Sequence, residues 1–217
     1  MDHGLTGIGD AGPFLARVVR LDRAAPVRLR SAGARTALWA RLPWEVLVTR
    51  EVDGPGPGDV TVSASALLAN LSADRTALPP ARDADWRWPL PPVGAAVVET
   101  IATAELGRLA SAAAGTLREV TGGGLGRAVG QRMVRDALLD HVALVVTPAE
   151  GEPIEVPQRL VQAASRMGFL GRSEVDAPDT RVYVAKRWLG LSAPYGVAWL
   201  QRVNKLTVMP ISTHPKG

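Results

Sequence analysis

Residues 27–62 read VRLRSAGARTALWARLPWEVLVTREVDGPGPGDVTV, and this stretch decides the fold class. Val27 and Leu29 alternate with Arg28 and Arg30, the two-residue period of a strand with one wet face. Ser31-Ala32-Gly33 interrupts the run. Thr36 to Leu42 and Glu45 to Val52, rich in β-branched and aromatic residues, then read as two further strands separated at Pro43. Asp53-Gly54-Pro55-Gly56-Pro57-Gly58-Asp59 is a loop, because neither glycine nor proline sustains a ladder. The three runs and their turn signals predict an antiparallel meander, and Val60 to Val62 after the loop supplies a last strand.

Working outward, Ser63 caps a helix that runs through Leu71. Upstream, Phe14 to Leu21 reads as a short helix, and the glycine-rich residues 1–13 are expected to fray. Downstream, five prolines lie between Leu78 and Pro92, around Asp83-Ala84-Asp85-Trp86-Arg87-Trp88. Such a stretch is extended and reads as an interdomain linker over residues 79–93, with its two tryptophans docked onto a domain surface.

The second half begins with a strand at Ala95 to Ile101. Thr103 then caps a helix from Ala104 to Val120, whose Leu106, Leu109, Ala110, Ala113 and Leu117 fall on one stripe. The glycines of Thr121 to Gly126 stop it, and a second helix is expected from about Arg127 to Asp140. A strand at Val142 to Thr147, a short strand at Ile154 to Val156 and a third helix starting at Pro157 follow. Arg181 to Leu191 and Gly196 to Val203 read as a hairpin around Ser192 to Tyr195, and Leu206 to Ile211 as a further strand. The reading is an α+β protein. It has an N-terminal antiparallel sheet with short helices (1–78), a Pro/Trp-rich linker (79–93), and a C-terminal helical unit with a β-hairpin (94–217) that is winged-helix-like in its ingredients.

Charge is unevenly spread. The first 179 residues hold 19 basic and 21 acidic side chains, whereas from Thr180 onward there are six basic residues and no Asp or Glu. All three lysines, Lys186, Lys205 and Lys216, lie in that tail with Arg181, Arg187 and Arg202, interleaved with Tyr183, Trp188, Tyr195 and Trp199. A basic segment carrying flat rings suits a polyanion, above all a nucleic acid. Trp188 and Tyr195 could stack on unpaired bases, or these rings could pack the hairpin onto the helices. On the helix after the glycines, Arg127, Gln131 and Arg135 stand four residues apart and share a face that can grip phosphates or read base edges. Arg159, Gln162 and Arg166 make a comparable stripe on the next helix. The expected nucleic-acid-binding residues are therefore Arg127, Gln131, Arg135, Lys186, Arg187, Trp188, Arg202 and Lys205.

Other chemistry finds little footing. With no cysteine, disulfides, thiolate nucleophiles and sulfur-ligated zinc are excluded. Of the three histidines, His3 and His214 lie near the termini, and His141 is expected to sit half-buried against Met133 and Val134. Asp136 and Asp140, one helical turn apart beside His141, form the candidate site for a metal-dependent phosphodiesterase. The glycine cluster lacks the Gly-Lys-Ser/Thr of a phosphate loop, and no catalytic residue, cofactor or metal site is assigned. Val142 to Val146 is typical of the longest apolar runs, too short to span a bilayer, so a cytoplasmic protein without a membrane partner is expected. The leading expectation is a non-enzymatic protein contacting DNA or RNA. The alternative is a protein-interaction module that recruits a protein partner or a second copy through the Trp-rich linker and the N-terminal sheet.

Overall fold

The computed structural model describes residues 1–122, 133, 136–148, 151–171 and 178–202. Helix α1 (Ile8–Leu21) precedes strands β1 (Pro26–Ala32), β2 (Arg35–Arg41), β3 (Val46–Asp53) and β4 (Asp59–Ser63), and α2 (Ala64–Ser72) follows. The second half contributes β5 (Ala96–Ile101), α3 (Thr103–Gly122), β6 (Val142–Val146), β7 (Ile154–Pro157), α4 (Gln158–Arg166), β8 (Thr180–Ala185), β9 (Trp188–Ala193) and β10 (Gly196–Gln201). Residues 136–140 are helical. Ser63 Oγ accepts from the Ala66 amide at the start of α2. The Thr103 hydroxyl, by contrast, donates to the Pro178 carbonyl at 2.6 Å and meets Thr180 Oγ1 at 2.8 Å.

Eight strands form one antiparallel sheet in the order β4-β1-β2-β3-β10-β9-β8-β5, and β6 and β7 pair separately. The two halves therefore share a sheet, joined where β3 pairs with β10 in the register Thr49↔Val197 to Val46↔Leu200. The fold is mixed α+β with a large antiparallel sheet and few helices. Among the described residues the winged-helix arrangement is not found. A wing is a hairpin free to reach a partner, but β9 and β10 are interior strands, and β10 is committed to β3. The long strand expected from Arg181 to Leu191 is also divided, because Lys186 takes a left-handed φ of 54° and turns the chain between β8 and β9.

Alternation assigns the two faces. Leu29, Leu38, Ala40, Val46, Val48, Leu189, Leu191 and Ala198 are buried toward the helices with Phe14, Leu15, Leu67, Leu106, Leu160 and Phe169. Helix α4 lies across β3, β9 and β10 and so runs under the seam. Phe14 of α1 stacks on Phe169 after α4, with centroids 6.4 Å apart, a second tie between the halves. Together these side chains form the principal core, the largest favourable term in folding.

Residues 1–13 are not frayed. His3 is 3% exposed; its Nδ1 accepts from the Leu5 amide at 3.0 Å, and its Nε2 lies 3.1 Å from the Arg75 carbonyl. Since the amide must donate, Nδ1 is the acceptor and Nε2 carries the proton given to Arg75. The chain then packs on the β3–β4 loop, where a Cβ on Gly54 would stand 2.3 Å from the Gly4 carbonyl oxygen at a φ of 120°. Only glycine fits there. The histidines are thus reversed from expectation, since His3 is buried and His141 exposed.

Candidate functional site

On the face of the sheet away from the helices, β10 presents Val197 and Trp199, β9 presents Trp188 and Gly190, β8 presents Tyr183 and Ala185, and β2 and β3 present Trp39 and Leu47. This surface is apolar and centred on the seam. Buried Leu47, Ala185, Trp188 and Trp199 form a second core there, packed by Trp39, Trp86, Trp88, Leu90, Ala95, Tyr183 and Val197. Trp188 and Trp199 accordingly do not pack the hairpin onto the helices. They stabilise the opposite face of the sheet.

The linker is the cover of that face. Arg82 N–H donates to the Thr61 carbonyl at 2.7 Å, and the Thr61 amide donates to Asp83 Oδ1 at 2.6 Å, which ties the segment to β4, the edge strand. Such pairing also blunts an otherwise open edge. Trp86 donates its indole N–H to the Trp88 carbonyl at 2.8 Å, and the two rings meet edge to face at 5.7 Å. The Arg28 guanidinium sits 5.9 Å from the Trp86 ring, and that of Arg41 4.7 Å from the Trp88 ring. Cations over indole faces add attraction beyond simple burial. Arg28 also grips Asp59 with two bonds of 2.7 and 2.9 Å. That pairing holds the Asp59 carboxyl below its ordinary range and raises Arg28, with burial opposing both shifts.

Beside this linker, which forms a strap over the sheet, opens a groove of about 930 Å³, lined among others by Arg41, Glu45, Trp88, Arg159, Trp188 and Arg202. Arg41 pairs with Glu45 at 3.0 Å, and Arg159 pairs with Asp140 and donates to the Trp44 carbonyl. Arg202 is the less committed cation. Its Nη2 reaches the Lys186 carbonyl at 3.2 Å, and its amide donates to the Arg187 carbonyl at 2.7 Å. With the Gln201 carboxamide oxygen turned toward it, Arg187 donates two bonds, of 2.6 and 2.7 Å.

Of the residues expected from sequence, the structure brings Lys186, Arg187, Trp188 and Arg202 to one end of the β8–β9 hairpin. Lys186 and Arg187 are exposed, while Trp188 is buried at 6% exposure, so it contributes packing there. Arg127, Gln131, Arg135 and Lys205, like the strand expected at Leu206 to Ile211, lie outside the described residues. The α4 stripe is divided: Gln162 is buried and donates to the Ala110 carbonyl at 2.8 Å, Arg159 is half-buried, and Arg166 is exposed with its guanidinium 5.7 Å from the Trp44 ring. Asp140 is engaged by Arg159, and among the described residues no three acidic or imidazole side chains gather as a metal site. Sequence reasoning missed Trp39, Arg28 and Arg41 as part of this outer face and its cover. Their signal was the alternation itself, which placed Arg28 and Trp39 on the face opposite Leu29 and Leu38.

Residues 90–205 match the model of a domain of unknown function, DUF8185. The chain belongs to the DUF8185 family. Residues 6–89 match a second domain of unknown function, DUF8010. The two matches meet between Pro89 and Leu90, inside the strap over the seam. No curated protein matches the DUF8185 chain.

Solved structures are similar in fold. The DUF8185 chain superposes on the DNA polymerase sliding clamp of Pseudomonas aeruginosa with a TM-score of 0.57 and 13% identity, over 94% of this chain and 65% of the clamp. For the sliding clamp of Bartonella birtlesii bound to griselimycin the values are 0.57, 13%, 94% and 65%. For that of Caulobacter crescentus they are 0.56, 13%, 97% and 67%. The DUF8185 chain thus has a sliding-clamp fold and spans about two thirds of the length of the clamps it resembles. No helix among its described residues is long and apolar enough to cross a membrane.

Proposed function

We propose that this protein is a non-enzymatic, cytoplasmic scaffold of sliding-clamp fold that lies against nucleic acid, with its C-terminal cations as the contact. The observation that carries the reading is the convergence of two independent features. A clamp-like fold extends over 94% of the chain, and the acid-free tail sets Lys186, Arg187 and Arg202 at one hairpin end. The Pseudomonas protein is named as a DNA polymerase sliding clamp, and a role beside DNA comes to this chain from that likeness of fold. Arg127, Gln131, Arg135 and Lys205 complete the proposed contact, with Trp188 supporting the hairpin beneath it. The sequence divides near residues 79–93 into two units that share the sheet.

Phosphate contact releases condensed counterions, so affinity must fall as salt rises. Fluorescence anisotropy with labelled duplex and single-stranded DNA over a salt series tests the reading. Binding at low salt that weakens log-linearly is expected; no binding at low salt, or binding indifferent to salt, would sink it. A second reading has one observation in its favour: the groove is lined by Trp88, Trp188, Leu47 and Leu200 together with Arg41, Arg159 and Arg202, and aromatic residues and arginine are enriched at protein-docking surfaces. A partner retained by the wild-type protein and lost on Trp88→Ala, with DNA affinity unchanged, would favour it.

A further inference from the structure

A second concavity, on the helical side, is unrelated to the seam. Ala113 and Thr116 of α3, Leu138, Leu139 and His141, and Gln158 and Gln162 of α4 line a cavity of about 290 Å³. Ala113, Leu138 and Leu139 give it an aliphatic wall, and two of its polar side chains are already bonded. The Thr116 hydroxyl is given to the Ala112 carbonyl, and the Gln162 amide to the Ala110 carbonyl. Gln158 is not satisfied in this way. It is 6% exposed, its backbone N–H is bonded to the His141 carbonyl at 2.8 Å, and its side-chain nitrogen has no acceptor.

A buried amide donor left unpaired is costly, and native structures rarely keep one without a reason. Rotation about the terminal torsion of a glutamine is soft, so the carboxamide can present its nitrogen to a group seated in the cavity. We infer that this cavity is a small-molecule site for a compact apolar carboxylic acid, whose hydrocarbon body fills the Ala113–Leu138–Leu139 wall and whose carboxylate accepts from Gln158. His141, exposed at the rim, offers a second donor to the same carboxylate. The volume, near the lower end for ligand pockets, suits one substituted ring or a short branched chain. The inference does not depend on nucleic-acid contact and concerns a different face.

The probe is 4-methylbenzoate, with toluene as the acceptor-free control, titrated into full-length protein carrying labelled leucine methyl groups. Leu138 and Leu139 should shift saturably, with a dissociation constant on the order of 0.1 to 1 mM for a ligand of this size. Gln158→Leu should weaken 4-methylbenzoate by about fivefold or more while leaving toluene unchanged, because only the acid uses the amide. Ala113→Phe, which fills the cavity from α3, should abolish both. The inference is overturned if no saturable shift appears up to about 10 mM, or if either variant binds the acid as the wild type does.

Discussion

Trp199 lies directly against Gly190: a Cβ carbon at residue 190 would stand 2.6 Å from Cε3 and Cζ3 of the indole. The two residues face each other in the β9–β10 register, so the missing side chain on one strand is the seat of the ring on the next. Tyr183, opposite Gly190 on its other side, closes the ring in at a centroid distance of 6.2 Å. The outer core at the seam depends on that absence of a methyl group.

Gly190→Ala should therefore destabilise the protein, by about 1–3 kcal/mol as in other overpacked sites. Urea unfolding of the single variant, of Trp199→Leu and of the double variant measures it. The penalty for alanine should shrink when the indole is gone; equal penalties in both backgrounds would show that the ring does not rest on residue 190.

The strap is a structural element of the sheet and not a passive tether. Removing the Trp88 ring deletes packing on the second core and the Arg41 contact, so Trp88→Ala should cost about 1–3 kcal/mol, less than a fully buried tryptophan. Limited proteolysis should then cut between residues 79 and 95 sooner than in the wild type. A cleavage rate equal to that of the wild type would mean that Trp88 does not hold the segment down.

The N-terminal anchor is testable at one amide. His3→Ala removes the acceptor of the Leu5 N–H, a buried bond worth about 1–3 kcal/mol to break. Hydrogen exchange at Leu5 should accelerate, with the protection of β1 and β2 little changed. Unaltered exchange would return residues 1–7 to the loosely held state that composition alone implies.

Asp59 gives the pH dependence its sign. Its folded carboxyl titrates below the unfolded value because Arg28 bonds to the charged form, so its contribution is present above the ordinary aspartate range near 3.9 and is lost as pH falls through the depressed value. The Arg28 shift is upward from an already high value and changes nothing at accessible pH. Both side chains are partly exposed, so the pair is worth at most about 1 kcal/mol. Asp59→Asn should lower the urea midpoint at neutral pH and flatten part of its fall at acid pH; an unchanged acid limb would contradict the pairing.

Local chemistry was legible in the sequence, and long-range pairing was not. The alternation of Val27 and Leu29 with arginines, the Gly/Pro loop and Ser63 gave β1 to β4 and α2 nearly as they fold. Nothing in Ala185-Lys186-Arg187-Trp188 advertises a turn, since it lacks Gly, Asn, Asp and Pro. The β3–β10 junction joins residues about 150 apart, a register that only the two hydrophobic faces can select. Gly190 was the available clue to the seam, because a glycine inside a strand often marks close approach by another group. His3 shows the limit of composition. A glycine-rich start reads as loose until the imidazole finds the Arg75 carbonyl.

The salt slope of DNA binding by the wild type and by Lys186→Glu/Arg187→Glu tests the central claim most directly. If the hairpin end contacts phosphate, log affinity should fall with log salt in the wild type, and the variant should bind more weakly with a slope reduced by about two. A variant with the same affinity and slope as the wild type would contradict the account.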